Sequence, residues 1–356
     1  MKSLLRLLLK SQHQRNRSGP AQTDKGMTLV ELLVGAIMAF LIITPMIGFV
    51  VDMLNTDRRE QVKSNTEQDI QAAVDFIAQD LSQAIYIYDR KGITAIQPQL
   101  PANNDPTKIP ILVFWKRQQI KNSVPINSDI KPNECSQKEK AGQCNDTYVL
   151  SLVAYYQFKD TEATWCQPSG GTAGNCPTRI ARYEIRDGIR KPDPVAADTN
   201  LPYYNEDETD DTQERDPAFN KAFDFSKPTE NVTLKDKLGE DKSGGKNKNA
   251  QVLVNYIDHS TPDPSLLSPP ECKTALGNPT DPKDPTTSLD DGTLKVSDGE
   301  TNSFYACVDT ARNIARVTIR GNSLRRLETP ANYDPKKAAY FPTATVQVQG
   351  LGAVGK

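Results

Sequence analysis

Hydrophobic side chains follow three successive patterns along the chain. Residues 32–51 form an uncharged apolar run. From Ile70 to Tyr88, apolar side chains recur every three or four positions, as on one face of a helix. After Tyr88, several short segments alternate apolar and polar residues, which is typical of strands with one buried and one solvent-exposed face. These patterns predict an α+β fold in which a long N-terminal transmembrane and amphipathic helix packs on an antiparallel β-sheet head with long loops.

The helix is predicted to continue from the apolar run into the amphipathic segment. There is neither Pro nor Gly between Asp52 and Ile85, so we expect the helix to end within residues 86–92. A coiled-coil dimer is the alternative. Its apolar stripe would be short and rich in Ala, which favours packing on the sheet of the same domain. The predicted parts are a leader (1–26), a transmembrane half of the helix (27–51), an amphipathic half (52–90) and a loop-rich β-sheet head domain (91–356).

Seven segments carry strand signals. The longest runs from Tyr148 to Phe158, and the alternating segment from Arg179 to Arg186 is predicted to pair with it as a hairpin. Segments 188–250 and 260–300 are polar and rich in Pro, which predicts surface loops. The other predicted strands are residues 111–115, 251–257, 303–309, 315–320 and 344–349.

The N-terminal region does not have the order of a secretory signal peptide. Its small residue, Gly26, comes before the apolar run rather than after it, so cleavage there would leave the hydrophobic helix on the protein. Residues 32–51 would span roughly 30 Å, one bilayer core, with the basic leader in the cytoplasm. Glu31 is unexpected at the start of this apolar run, because placing a carboxylate at the centre of a membrane costs about 2.5–3.5 kcal/mol. We expect it to pair with a cation, the new α-amino group of Met27 on a neighbouring subunit.

These residues resemble a known family. The segment KGMTLVELLVGAIMAFLIITPMIGF is similar to the cleavage and methylation segment of type IV prepilins. The resemblance implies that prepilin peptidase cuts after Gly26, that Met27 is the N-methylated residue, and that Glu31 directs assembly. Met27 stands where the family usually has Phe. Pro45 matches the helix kink of the family, and Pro removes one helical hydrogen bond.

A second resemblance covers the predicted end of the helix. The Asp80-Leu81-Ser82-Gln83-Ala84 pattern is similar to that of the larger minor pseudopilins of the J or W type. The leader and residues 38–45 also resemble cyanobacterial pseudopilins linked to hormogonium polysaccharide secretion. This implies a single-pass protein of the bacterial inner membrane, with a periplasmic head, that enters a type IV pilus or a secretion pseudopilus. Its implied partners are prepilin peptidase, other pilin subunits, the inner-membrane assembly platform and a polysaccharide.

Composition favours a structural protein over an enzyme. The apolar fraction is 37%, which is low for a compact enzyme of 356 residues, and the net charge of −2 gives no reason to expect nucleic acid. There is no GxSxG, HExxH, P-loop or dinucleotide fingerprint, and only two His residues. We therefore expect no catalytic residue, cofactor or metal. A membrane-anchored enzyme or sensor remains an alternative, as does an adhesin-like tip subunit that recognises a surface polymer.

The six cysteines all follow the apolar run, which indicates an oxidising compartment. A zinc site is the alternative, but there is no CxxC and no His close to a Cys pair in sequence. Each nearest-neighbour pair brackets a polar loop, so we predict disulfides between neighbours: Cys135–Cys144, Cys166–Cys176 and Cys272–Cys307.

Three clusters of side chains have two interpretations each. The acidic residues of 206–216 lack the Gly and the ligand spacing of a calcium loop, which favours a solvated loop. Arginines between residues 312 and 326 suit either an anionic polymer or a solvated sheet face, and the second is favoured. Aromatic side chains in predicted strands suit sugar stacking or burial, and burial is favoured. The aromatic set is Trp115, Trp165, Tyr155 and Tyr156.

Overall fold

A computed structural model describes most of the chain after residue 27. The described residues are 28–102, 105–140, 142–159, 166, 176, 178–192, 203–238, 250–260, 271–296, 302–328 and 331–352. The chain forms two compact units, with the boundary between Arg58 and Arg59. One helix, α1, runs from Leu29 to Ser82 and passes through this boundary.

In the first unit, α1 presents its apolar side chains to the surroundings. Every large apolar side chain from Leu29 to Leu54 is at least 50% exposed. Pro45 lies within the helix, and the Thr44 hydroxyl donates to the carbonyl of Phe40 at 2.8 Å. The helix is long and apolar enough to cross a membrane.

In the second unit, one face of α1 is buried at helical spacing. The apolar residues Ile70, Val74, Ile77 and Leu81 join the main hydrophobic core, as expected when a stripe of period three to four faces a sheet. The backbone of Gly321 lies close to α1, because a Cβ atom at that position would overlap the side chain of Ile70.

Helix α1 ends at Ser82, earlier than the predicted residues 86–92, so the amphipathic half does not reach residue 90. Strand β1, Ala84–Ile87, follows at once and pairs with Lys116, Trp115 and Phe114 of the next strand. Its Ile and Tyr side chains favour extended backbone, and this pairing replaces the hydrogen bonds that a longer helix would have made.

The predicted strands are all present, and the structure adds three short ones, β1, β6 and β7. The predicted hairpin of β3 with β4 is confirmed by antiparallel pairing from Ser151↔Arg186 to Lys159↔Thr178. Elements after β1 are α2 (Arg90–Ile96), β2 (Lys108–Pro125), β3 (Cys144–Lys159), β4 (Thr178–Arg186), β5 (Gln251–Ile257), α3 (Cys272–Ala275), β6 (Thr280–Asp281), β7 (Asp284–Ser288), α4 (Asp291–Leu294), β8 (Phe304–Asp309), β9 (Ile314–Arg320) and β10 (Thr343–Gln349).

These strands form antiparallel sheets. The largest has the order β1-β2-β3-β4-β5, a second has the order β10-β9-β8, and β6 pairs with β7. Side chains from α1 and from both larger sheets share one hydrophobic core. The structure is therefore α+β, with a long apolar N-terminal helix and antiparallel sheets.

Part of the segment predicted as surface loop belongs to this core. Within residues 203–238, Ala218, Phe219 and Val232 are buried in the main core. Phe223 stacks on Trp115 with ring centroids 4.2 Å apart. Segment 188–250 has a low overall apolar content, so its few buried residues were not predicted from composition. These residues pack against β2.

The three nearest-neighbour disulfides are confirmed. Cys135 bonds Cys144, Cys166 bonds Cys176, and Cys272 bonds Cys307. The first pair closes the turn-rich connection between β2 and β3, where both cysteines are buried. The third ties α3 to β8 across a sequence separation of 35 residues.

Candidate functional site

The exposed apolar half of α1, residues 29–54, is the first candidate site, and we call it the apolar stem. Burying one large apolar side chain is worth about 1.5–3 kcal/mol. The stem exposes many of them, so its sequence suits an apolar environment such as lipid or the helices of other subunits. The geometry supports insertion or helix packing and no chemistry.

The start of α1 places Glu31 beside Thr28. The backbone N–H of Glu31 donates to the Thr28 hydroxyl at 3.3 Å, and that hydroxyl lies 3.5 Å from the Glu31 carboxylate. A Thr hydroxyl that accepts from the third residue of a helix is an N-cap. Glu31 is exposed, so its carboxylate is also open to a partner. The predicted cleavage and methylation residues, Gly26 and Met27, lie outside the described residues.

At its other end, α1 is held by a buried charged cluster around Asp80, which we call the Asp80 cluster. Lys116 of β2 donates to Oδ1 of Asp80 at 2.9 Å. Arg182 of β4 and the Tyr155 hydroxyl of β3 each donate to Oδ2 at 2.7 Å. Glu184 completes the cluster through Arg182 Nη1 at 2.8 Å. The helix is thus hydrogen-bonded to three neighbouring strands through one carboxylate.

The cluster keeps its carboxylates ionised. Burial alone would raise the pKa of Asp80, but Lys116 and Arg182 outweigh it, so the pKa is lowered. The pKa of Glu184 is lowered for the same reasons, with burial again opposing. Burial strongly raises the pKa of the Tyr155 hydroxyl, which remains a donor. A carboxylate saturated by three donors has little capacity for substrate and acts as an anchor.

The sequence pattern singled out Asp80 but not its partners. Lys116 and Arg182 are separated from it by 36 and 102 residues, and neither belongs to a motif. The sequence does offer one signal. Alternate residues of a strand face the same side of the sheet, and a charged residue on the side that is otherwise apolar needs a buried partner.

A cleft of about 540 Å³ beside Tyr203 is the second candidate site, and we call it the Tyr203 cleft. The ring of Tyr203 lies 5.5 Å from the Arg215 guanidinium and 5.1 Å from the Lys221 ammonium. Its hydroxyl donates to Asp187 at 2.7 Å. Desolvation, followed by the charge of Arg215, lowers the pKa of Lys221. Tyr204 lines the same cleft, so it offers aromatic faces and cations together.

The acidic segment 206–216 forms part of this cleft rather than a calcium loop. Glu208 accepts from the backbone of Asn205, and Asp216 accepts from the backbone N–H of Ala218. Such bonds stabilise the local turns. Among the described residues, no group of three or more His, Cys, Asp or Glu side chains is placed to hold a metal ion.

The arginine-rich segment is not a solvated sheet face. Arg312 pairs with Asp309, and Arg326 donates to Asp69 of α1 at 2.8 Å. Arg320 and Arg325 are buried. The favoured interpretation, a solvated face, is therefore wrong for Arg320 and Arg325, which are buried at the end of β9 and in the turn after it, whereas Arg312 is exposed to solvent.

The aromatic side chains are used for packing. Trp115, Tyr155 and Tyr156 are buried, as predicted, and Trp165 lies outside the described residues. The Trp115 indole N–H donates to the Tyr88 hydroxyl at 2.9 Å. None of the three presents a face for sugar stacking.

Comparison with known proteins adds no family to this picture. No protein family, curated protein or solved structure matches the chain. Inference about function therefore depends on the residues described above, chiefly the apolar stem and the sequence motif at its start.

Proposed function

We propose that this chain is a minor pilin or pseudopilin, a structural subunit without enzymatic activity. Prepilin peptidase cleaves it after Gly26 and methylates Met27, and it then joins other pilin subunits through the assembly platform of the inner membrane. The single observation that carries the proposal is the continuous helix α1. It joins an exposed apolar stem with Glu31 in its first turn to a face that is buried in an α+β unit.

Two further features support this function. The disulfides suit the periplasm, where an exported second unit would reside. The Asp80 cluster fastens the strands of the second unit to the last turns of the helix whose first half would enter the filament. Export of polysaccharide or motility is the process that such an assembly would serve.

The leader is tested by changing Gly26 to a bulky residue. We expect Gly26→Leu to leave the protein uncut, with the extra mass of residues 1–26, because the peptidase must accept a small residue before the cut. The measurement is the mass of the intact membrane-extracted protein. Gly35→Leu, further into the stem, is the matched control and should be cut normally. Normal cutting of Gly26→Leu would rule out this leader.

Glu31 has two possible roles, and a pair of variants separates them. If its charge pairs with the α-amino group of Met27 on a neighbour, both Glu31→Gln and Glu31→Ala should be cleaved but absent from filaments. If it only stabilises the start of the helix, Glu31→Gln should assemble, because the Gln amide still accepts a hydrogen bond. The measurement is the fraction of cleaved subunit in sheared filaments. Asp52→Asn, at the far end of the apolar run, controls for a general effect of lost charge.

A second candidate function is that of a tip subunit that binds a surface polymer, and the Tyr203 cleft favours it. Its aromatic rings lie beside charged side chains of both signs, which together offer stacking faces, donors and acceptors to a polar saccharide. Lys221→Ala and Tyr204→Ala should reduce attachment to polysaccharide-coated surfaces while filament number stays normal. Lys227→Ala is a matched surface control, since Lys227 pairs only locally with Glu230. Equal attachment by all three variants would exclude the cleft as a binding site.

A further inference from the structure

Arg325 is a fully buried cation in a short, firmly held turn. It lies in the 3-10 turn Ser323–Arg326, directly after β9, and its exposed fraction is 0%. Its backbone N–H donates to Oδ1 of Asn322 at 3.2 Å. The Nδ2 of Asn322 in turn donates to the carbonyl of Ala331 at 2.6 Å. The Asn322 side chain therefore caps the start of the turn and ties it to Ala331, which fixes the backbone at Arg325.

Among the described residues, the guanidinium of Arg325 has no hydrogen-bond partner. Nε, Nη1 and Nη2 are all buried and unpartnered. A guanidinium carries five N–H donors and keeps its charge in proteins. Burial lowers the pKa of Arg325, which reflects the cost of holding this charge away from water. A buried charge without a counter-ion costs several kcal/mol, so such a group requires an explanation.

The described carboxylates of the surrounding elements are engaged elsewhere. Asp258, at the end of β5, accepts from Arg320 at 2.8 Å and from the Ser260 hydroxyl. Asp69 of α1 accepts from Arg326. Glu328 is paired with Lys337 on the surface. Each of these three carboxylates already pairs with another cation, so none of them neutralises Arg325.

A second unpartnered polar atom belongs to the same region. The Nδ1 atom of His259 is buried and has no hydrogen-bond partner in the part of the chain that the structure describes. Desolvation lowers the pKa of His259, Asp258 opposes this, and the charge of Arg325 lowers it further. Asn322 connects the two positions: its Nδ2 donates to Oδ1 of Asp258, the residue before His259, at 3.4 Å, and its Oδ1 accepts from the backbone N–H of Arg325. The region thus combines a fixed charge with an unsatisfied imidazole.

We propose that Arg325 is the centre of a binding site for one small oxyanion: a phosphate, a sulfate or a carboxylate group. The planar fork of a guanidinium matches two oxygens of such a group, and the bonds are charge-assisted. The anion neutralises a charge that the described residues leave unpaired. The site does not depend on the pilin function, and either proposal can fail without the other.

The test is equilibrium dialysis of the full chain in neutral detergent against radiolabelled phosphate, sulfate or acetate, at constant chloride concentration. We expect saturable uptake of one anion per chain, and the tightest of the three identifies the ligand class. Arg325→Met removes the charge and retains much of the length, so it should bind at least about tenfold more weakly. Arg326→Met removes the adjacent arginine, which pairs with Asp69, and should bind like the wild type.

Absence of saturable uptake of all three anions would overturn the proposal. So would uptake that is unchanged in Arg325→Met, or reduced equally in Arg326→Met, because non-specific surface charge would then explain it. If Arg325→Met lacks the circular dichroism of the native fold, Arg325→Lys takes its place. Lysine keeps the charge without the fork, so weaker binding of the same stoichiometry supports the site. Affinity equal to wild type would overturn the guanidinium as the binding group.

Discussion

Arg182 Nε donates to Oδ2 of Asp80 over 2.7 Å, and this bond connects β4 to the last turns of α1. Lys116 occupies the other carboxylate oxygen at 2.9 Å. These bonds restrict how α1 can lie on the sheet. An apolar stripe can pack against a sheet in many registers, whereas a carboxylate with charged partners on two strands can reach both of them in only one register. We infer that the Asp80 cluster sets the register of the helix on the sheet.

Replacing Asp80 should destabilise the second unit severely. Asp80→Asn removes one of the two carboxylates that the buried Lys116 and Arg182 share, so that two cations face Glu184 alone. Removing one charged partner from a buried cluster typically costs about 3–5 kcal/mol. Urea unfolding followed by circular dichroism measures this loss. Asp75→Asn, on the exposed side of the same helix, should change stability by less than about 0.5 kcal/mol. A similarly small change for Asp80→Asn would mean that the cluster is fully hydrated.

Acid should lower the free energy of unfolding of the second unit through protonation of Asp80. Because the folded pKa of Asp80 is lowered, its contribution is fully present above the unfolded pKa of about 3.9 and is lost as pH falls through the lower folded value. The folded pKa of Glu184 is also lowered, so its contribution to stability is likewise lost as pH falls. We expect the free energy of unfolding to fall steeply below about pH 4, with a shallower fall in Asp80→Asn. Identical slopes for the two proteins would show that other carboxylates dominate.

The segment around Phe219 should be essential for folding rather than dispensable. Phe219 is 2% exposed and makes an edge contact with Trp115 at 6.1 Å. Phe219→Ala should therefore cost about 3–5 kcal/mol. Phe225, which is 38% exposed near the same indole, provides the control. Its replacement by Ala should have a clearly smaller effect on the unfolding midpoint, and equal effects would contradict this packing.

Gly321 should tolerate no side chain while Ile70 is present. A Cβ there would overlap Cδ1 of Ile70 and come within 3.1 Å of Thr66. Gly321→Ala should cost about 1–3 kcal/mol by overpacking. Ile70→Val alone should cost about 0.5–1.5 kcal/mol. The double variant should be more stable than the sum of the two losses predicts, because Val lacks the overlapping methyl group. A double-mutant cycle from chemical unfolding tests this, and strict additivity would refute the contact.

Removing the disulfides should have graded effects. In the loop-closure treatment, the Cys272–Cys307 bond should contribute about 4 kcal/mol and Cys135–Cys144 about 2.5 kcal/mol. The difference arises because Cys272 and Cys307 are 35 residues apart in sequence, whereas Cys135 and Cys144 are only 9 apart. Paired Cys→Ser variants, compared by urea unfolding without reductant, measure both. A larger loss for the shorter loop would mean that native packing around Cys135 outweighs chain entropy.

Several elements of this fold could be predicted from local sequence. The stripe from Ile70 to Leu81 shows the helical period, and the alternation in β9 and β10 shows the strand period. Both periods arise from the geometry of near neighbours, so a single sequence reveals them. The nearest-neighbour disulfides were predictable for a related reason: each joins cysteines that follow one another in sequence and bracket a polar segment. The apolar stem follows from composition alone.

The candidate sites were less predictable because they depend on distant residues. The Tyr203 cleft combines Asp187, Tyr203 and Lys221 from segments with no periodic pattern. In the arginine-rich segment, sequence favoured a solvated face, whereas the fold buries Arg320 against Asp258, 62 residues away. Nothing in the spacing of these residues identifies their partners.

The sequence by itself determined that α1 begins with an apolar stem and continues as an amphipathic helix, because these properties follow from the order of adjacent residues. The tertiary structure alone decided that the helix ends at Ser82, since the next residues pair with β2. It also decided that Asp80 pairs with Arg182, and that the buried Arg325 side chain has no hydrogen-bond partner among the described residues. Long-range pairing depends on which surfaces the assembled core brings together, and periodicity carries no information about that choice.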